Sequence, residues 1–385
     1  MNATTSFCGS LRRSGYAIAR SVVTWFASGL IVIMAAASAD ASAVKLLSPD
    51  AALYGRAIRI RHWDDREVLA TVTSFTNGTH VGVYASHAGK RFTELSRIDD
   101  PEFAGGLCCG TLFELPRTVG VLPRGTLLWA GSVGQSETNR RMKIKVYRSS
   151  DAGRTWSYLN EIVSPNIGGL WEPEFTVASD GALVMFYSDE TQSAYSQFLN
   201  QVRSYDGTTW QDASRVVAST NVNDRPGMAI VSKLVSGDRI MTFELCGPSA
   251  CAAHYKLSRD GWNWGDPADL GASIRLPDGR FFEHAPTNAV LPDGSILLVG
   301  QVLVNADNSV ASANGRVIFK NVLGNPIGRW YPITAPVPVP DAYDNYCPNY
   351  SSSLLPSETG SSVLELANDY SSGQCLMFYN EGPAQ

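Results

Sequence analysis

The sequence predicts an all-β fold, a six-bladed β-propeller of four-stranded antiparallel blades, and three observations carry that expectation. The stretch "SSDAGRTW" ending at Trp156 returns as "SYDGTTW" ending at Trp210 and "SRDGWNW" ending at Trp264, so the closing tryptophans stand 54 residues apart. Each of these turns follows an alternating apolar run ("KIKVYRSS", "QFLNQVRS", "AAHYKLSR") that reads as a strand. A second family of segments, from "GVLPRGTLLWAGS" and "FTVASDGALVMFYSD" to "IVSKLVSGDRIMTFE", "NAVLPDGSILLVGQ" and "SLLPSETGSSVLELAN", places two apolar runs around a Gly- or Pro-rich turn and reads as hairpins. Joined, the two families make a four-strand unit that recurs at Tyr54, Gly110, Gly169, Arg225, Glu283 and Tyr346. A sheet of four strands cannot bury both faces alone, and stacking six of them around an axis covers those faces.

Composition agrees. Charged residues make up 17% of the 385, against 34 glycines and 20 prolines, which suits short strands and many turns. Closed all-β architectures reach this length as single domains, so length forces no split. The net charge of -5 and the lack of a basic stretch exclude a nucleic-acid groove.

Taken in chain order, residues 1–43 read as an export signal rather than as fold. Arg12, Arg13 and Arg20 precede the apolar run "SVVTWFASGLIVIMAAA", and "ASADASA" offers small-residue cleavage sites after Ala43 or Ala39. The alternative is an uncleaved anchor, since the run is near the lower limit for spanning a bilayer. The domain is therefore expected over residues 44–385, secreted or periplasmic, free of the membrane once the signal is removed, and monomeric. In the first repeat "SHAGKRF" keeps only the serine, glycine and an aromatic of the turn, and "NPIGRW" in the fifth lacks the aspartate. In the intact copies aspartate and serine bond the turn amides, glycine takes positive φ and tryptophan packs between sheets, so Asp151, Asp206 and Asp260 are scaffold.

Removing the signal removes Cys8 and leaves six cysteines, an even count that favours disulfides in an exported chain. Cys246 with Cys251 and Cys347 with Cys375 are the most local pairings. The adjacent Cys108 and Cys109 need either a vicinal bridge or partners elsewhere. A zinc site is the alternative, against which no histidine stands at ligand spacing in the sequence.

Two carboxylates occupy the region of their repeats that faces a propeller mouth. Glu172, in "GGLWEPEF", opens the innermost strand of the third repeat. Glu244, in "RIMTFELCG", ends the second strand of the fourth and aligns with Ser188 of "LVMFYSDE". Adjacent blades can bring such a pair together across one opening, which is what glycoside hydrolysis needs: one carboxyl protonates the leaving oxygen and the other attacks the anomeric carbon or activates water there. Glu244, between Phe243 and Leu245, is the candidate for a raised pKa and the acid role; Glu172, beside Trp171 and Pro173, is the candidate nucleophile. Glu174 competes with Glu172, because strand alternation points both to one face.

The run from Gly169 to Gly247 resembles the core of glycoside hydrolase family 93, the exo-α-1,5-L-arabinanases, and the turn resembles the Asp-box of sialidases and other BNR-repeat propellers. The family's "WEP", "YSD", "RPGM" and "MTYE" elements appear in order as Trp171-Glu172-Pro173, Tyr187-Ser188-Asp189, Arg225-Pro226-Gly227-Met228 and Met241-Thr242-Phe243-Glu244. The resemblance implies a six-bladed propeller and a retaining mechanism with Glu172 as nucleophile and Glu244 as acid/base. It also implies a linear α-1,5-L-arabinan or related polysaccharide or oligosaccharide substrate and arabinobiose as the exo product, and the two-carboxylate mechanism itself requires no cofactor or metal. Phe243 replaces the family's tyrosine, and "LCGPSAC" stands where the family has glycine-rich sequence, which bears on the sugar more than on the chemistry.

Supporting residues have structural readings beside the functional ones. Arg225 can bind hydroxyls, orient a carboxylate or form an ion pair. Asp189 can accept sugar hydroxyls or cap its loop, Tyr350 can bond the nucleophile or pack in the core, and Trp171 can stack on a sugar or between blades. One of Arg56 and Arg59 is expected to reach the axis. Two rival functions stand beside this one. A sialidase would need three arginines around a carboxylate and a tyrosine nucleophile, whereas "YGRAIRI" lacks the proline of the sialidase start. A non-catalytic carbohydrate-binding propeller would tolerate loss of either glutamate.

Overall fold

The structure, a computed structural model, describes residues 43–63, 67–87 and 89–385. The export signal read over residues 1–43 lies outside them except for Ala43. The described residues form one compact unit. Apart from a short 3-10 turn at Pro101–Gly105, its regular elements are strands, and no helix among the described residues is long and apolar enough to cross a membrane.

Six antiparallel sheets follow one another along the chain. Blade 1 comprises Ala52–Arg59, Glu67–Ser74, His80–His87 and Thr93–Ile98. Blade 2 comprises Leu107–Glu114, Leu127–Val133, Lys143–Ser149 and Ser157–Val163. Blade 3 is Leu170–Val177, Leu183–Asp189, Phe198–Ser204 and Gln211–Val217, and blade 4 is Arg225–Lys233, Arg239–Cys246, Ala252–Ser258 and the short Ala272–Ser273. Blade 5 is Thr287–Val290, Ile296–Val299, Val317–Asn321 and Trp330–Thr334. Blade 6 has Ser353–Pro356, Ser362–Ser371 and Gln374–Pro383, and takes its outermost strand, Lys45–Leu46, from the other end of the domain. The first strand of each blade touches the first strand of the next, blade 6 to blade 1 included, so six inner strands encircle the axis.

The repeat boundaries hold for four blades and shift in two. Glu283, read as the start of the fifth repeat, lies in an additional strand, Phe281–Glu283, that pairs with Val302–Val304 and joins the edge of blade 4. Tyr346, read as the start of the sixth, lies in the linker ahead of the inner strand Ser353–Pro356. Both repeats carry inserted segments, which pushed the apparent start upstream of the strand that pairs.

The Asp-box turns join third to fourth strands. In each, the serine hydroxyl accepts the glycine amide at 2.9 Å (Ser149 and Gly153, Ser204 and Gly207, Ser258 and Gly261). The aspartate accepts further amides, from Thr155, from Thr208 and Thr209, and from Trp262 and Asn263. Burial raises the Asp260 pKa, but these bonds outweigh it and hold the carboxyl down at about 2. The glycines sit at φ between 81° and 85°, where a Cβ is strained. Each closing tryptophan packs against the preceding blade. Trp156 lies against Leu69 and Ala85, Trp210 donates to Asn160 at 3.1 Å, and Trp264 meets Phe186 edge-on at 5.7 Å. Blade-to-blade docking continues through the first turns: Val121 of blade 2 donates to Asp206 of blade 3, and Ser179 of blade 3 donates to Asp260 of blade 4.

Candidate active site

The inner strands do not run regularly into the mouth where they begin. In blades 1 to 4 each is bulged, so that two of its residues oppose one on the second strand: between Leu53 and Arg56, Cys108 and Thr111, Trp171 and Glu174, and Gly227 and Ile230. The first bulged residue is left-handed every time: Tyr54 (φ 53°), Cys109 (64°), Glu172 (52°) and Met228 (57°). Ala285 (48°) and Ser351 (56°) hold the matching place just before the inner strands of blades 5 and 6. None is a glycine, and a left-handed non-glycine residue costs about 1–3 kcal/mol. At five of the six it serves the mouth: the side chains of Tyr54, Cys109 and Glu172 line the cavity there, and the amides of Met228 and Ala285 donate to Glu172 and Glu244.

The bulge separates Glu172 from Glu174. It breaks the alternation that would have put both on one face. Glu172 lines a cavity of about 440 Å³ at the mouth, together with Trp171, Arg225, Glu244 and Tyr350. Glu174 is not on that wall. It accepts from the Thr111 hydroxyl of blade 2 at 2.9 Å and lies beside the Arg56 guanidinium; burial, partly offset by that charge, lifts its pKa to about 7.

Glu172 Oε2 accepts the Ser188 hydroxyl at 2.6 Å and the Met228 amide at 3.2 Å. Glu244 Oε2 accepts the Ala285 amide at 2.8 Å. Each carboxylate is thus held by an amide at the left-handed position of the next blade. Burial raises both pKa values. At Glu172 the Ser188 and Met228 bonds oppose it. At Glu244 only the Ala285 bond and the more distant Arg225 charge oppose it, the charge of Glu172 adds to it, and the group is pushed up to about 7. The pair is therefore differentiated, with two donors stabilising the anion of Glu172 and Glu244 poised to hold a proton near neutrality.

The other expected residues divide. Arg225 is on the wall; its guanidinium donates to Glu190 at 2.7 Å, to Gln197 at 2.9 Å and to the Ser196 hydroxyl at 2.8 Å. With 41% of that side chain exposed, the Glu190 pair is worth about 0–1 kcal/mol and acts mainly to position it. Trp171 also faces the cavity. Its Nε1 donates to Glu190 at 2.9 Å, and Arg140 lies 5.3 Å from its ring centre. Tyr350 faces the cavity too, edge-on to Tyr54 at 5.8 Å, with its hydroxyl 3.4 Å from the Met228 sulfur rather than on Glu172. Asp189 takes the loop-cap alternative: it is buried, accepts the Thr191 amide at 2.8 Å and does not line the cavity. Arg56 lies off the cavity wall as well, its guanidinium donating to the carbonyls of Gly55 and Ser351 and to the Ser351 hydroxyl, deeper along the inner strands.

Sequence reading missed the hub of the site, Glu190, which accepts from Trp171, Arg140 and Arg225 at once. Burial raises its pKa, but these donors outweigh it and keep the group ionised. Its place next to "YSD" was the available signal. His284 was also missed; it sits 4.0 Å from Glu244 and 3.8 Å from Asp344, and burial lowers its pKa. The disulfides are Cys108–Cys109, Cys246–Cys251 and Cys347–Cys375, the vicinal alternative holding for the first. The vicinal pair and Cys246 face the cavity. Among the described residues the one cluster at metal-ligand spacing is Cys246, Cys251 and His284, and its two sulfurs are bonded to each other, leaving no thiolate to bind zinc.

The family model of the BNR repeat-like domain matches residues 125–262, within a chain whose described residues form six antiparallel blades. Among solved structures the chain is similar to the family 93 α-L-arabinofuranosidase of Fusarium graminearum bound to an iminosugar inhibitor, at 23% identity and TM-score 0.70, covering 88% of this chain and 94% of that one. It is similar to the Penicillium chrysogenum α-L-arabinanase complexed with arabinobiose, at 23% identity and TM-score 0.71, covering 88% and 95%. The NanB sialidase of Streptococcus pneumoniae is more distant, at 12% identity and TM-score 0.55, covering 88% and 70%. No curated relative matches the sequence. At these identities the likeness is one of fold.

Proposed function

We propose that the protein is an exported retaining glycoside hydrolase that acts from one end of linear α-1,5-L-arabinan or a closely related polysaccharide and releases a disaccharide. The observation that carries the reading is the pair Glu172 and Glu244, from adjacent blades, lining one cavity with unequal hydrogen bonding. The arabinanase likeness of the fold and the four family 93 elements support the substrate class, and three disulfides suit an oxidising compartment.

In the proposed reaction the Glu172 carboxylate attacks the anomeric carbon while the bond to the leaving oxygen breaks and Glu244 gives that oxygen its proton. Glu244, now ionised, takes a proton from water, whose oxygen attacks the same carbon and releases Glu172. Trp171 offers an aromatic face to the sugar, and Arg225, held by Glu190, offers hydrogen-bond donors to its hydroxyls. A sialidase mechanism is disfavoured because Arg225 is the one arginine among the described residues lining the cavity. Product analysis on debranched arabinan tests the proposal: early release of disaccharide alone supports it. A ladder of oligomers would overturn the exo mode, and inertness on arabinan would overturn the substrate.

A further inference from the structure

Three tyrosines stand exposed together at the edge of the cavity. Tyr343 and Tyr346, 51% and 61% exposed, lie in the linker between blades 5 and 6, and Tyr370, 37% exposed, ends the second strand of blade 6. Tyr346 and Tyr370 are held by hydrogen bonds. The Tyr370 hydroxyl donates to Asn345 Oδ1 at 3.0 Å and shares a hydrogen bond with Tyr346, and Tyr343 is close enough for its hydroxyl to influence Tyr370. The Cys347–Cys375 bridge, next to Tyr346 at one end and across the hairpin from Tyr370 at the other, ties the linker to blade 6. Tyr346, Asp344 and Asn345 also line the cavity, so the aromatic edge is continuous with it.

Rigid aromatic side chains held in water with a carboxylate and an amide between them match one ligand chemistry well. The apolar C–H face of a sugar ring covers an aromatic face, while neighbouring carboxylate and amide groups bond its hydroxyls. Holding the rings in place beforehand reduces the ordering cost of binding. Resting on the glycosidase reading, we infer that Tyr343, Tyr346 and Tyr370 form a second saccharide subsite that holds the part of a neutral polysaccharide chain lying outside the cavity. The site then distinguishes polymer from short oligosaccharide without touching the reacting bond.

The test uses a Tyr343→Ser/Tyr370→Ser variant, since neither residue lines the cavity, and a Tyr343→Phe/Tyr370→Phe variant that keeps both rings. For the serine variant, KM on linear arabinan should rise about tenfold, equivalent to roughly 1.4 kcal/mol, while kcat/KM on a short chromogenic arabinoside stays within about twofold. The phenylalanine variant should retain polymer KM near the parent value. An unchanged polymer KM in the serine variant, or an equal fall on both substrates, would overturn the subsite. Should the parent protein turn over neither substrate, the glycosidase reading fails on its own, and retardation in arabinan-containing native gels decides the subsite. Retardation lost in the serine variant supports it; equal retardation, or none in the parent, overturns it.

Discussion

The two faces of the propeller are built from the same strands by opposite rules. On the face where the inner strands end, the Asp-box turns of blades 2, 3 and 4 repeat one another, and their serine and aspartate side chains are taken up by backbone amides. A depression there of about 660 Å³ is larger than the cavity on the other face, yet its acid Glu114 is occupied by the amides of Arg61 and His62. On the face where the inner strands begin, a left-handed residue recurs in the bulge of blades 1 to 4 and just before the inner strand of blades 5 and 6, but it differs each time: tyrosine, cysteine, glutamate, methionine, alanine and serine. The proposed function puts the ligand on the face whose backbone recurs while its side chains diverge, opposite the face where backbone and side chains recur together in blades 2 to 4.

Glu172→Gln and Glu244→Gln should break the contrast most sharply. Losing the nucleophile should cost on the order of 10⁴-fold or more in kcat. Losing the acid should cost about 10²–10⁴-fold. The melting temperature should move little in either variant; retained turnover in both would remove the catalytic assignment. On the opposite face, Trp264→Ala should do the reverse, lowering stability by about 3–5 kcal/mol because it empties the packing between blades 3 and 4. Its folded fraction should keep normal kcat, measured by urea unfolding alongside kinetics.

A smaller effect sharpens the pair itself. Glu244 must carry a proton to donate one, and its pKa lies at about 7, so kcat/KM should fall as pH rises through neutrality, about tenfold per unit in the limit. In Glu172→Gln one negative charge that raises that pKa is gone, and the Glu244 titration should move to lower pH, measurable by NMR of the labelled carboxyl. A titration that stays in place would show that the two groups do not sense each other.

Much of this was legible in the sequence. The 54-residue spacing of Trp156, Trp210 and Trp264 set the ring, because a turn that packs between blades must recur once per blade. Glu172 and Glu244 were legible as strand-end acids in apolar company. Which of Glu172 and Glu174 lines the cavity was not, since a bulge is an extra residue in a pairing and leaves no mark on alternation when read one strand at a time. Asp189 illustrates a second limit: a short acid near a strand end bonds the amide two residues on as readily as a ligand, and only the Thr191 contact distinguishes the two. Glu190 escaped because its role comes from Arg140 and Arg225, which lie far from it in sequence. Blades 5 and 6 shifted because inserted segments precede their inner strands.

Lys45 and Leu46, paired with Tyr379 and Phe378, make the closing blade a clasp between the two ends of the domain. Bringing partners so remote in the chain together carries a large loop-closure entropy, which the rest of the folded ring offsets. Once clasped, the ends are neighbours, and the ring has no structural first blade. A circularly permuted chain, opened in an Asp-box turn and joined where the ends now meet, would preserve every inner strand and the cavity they surround.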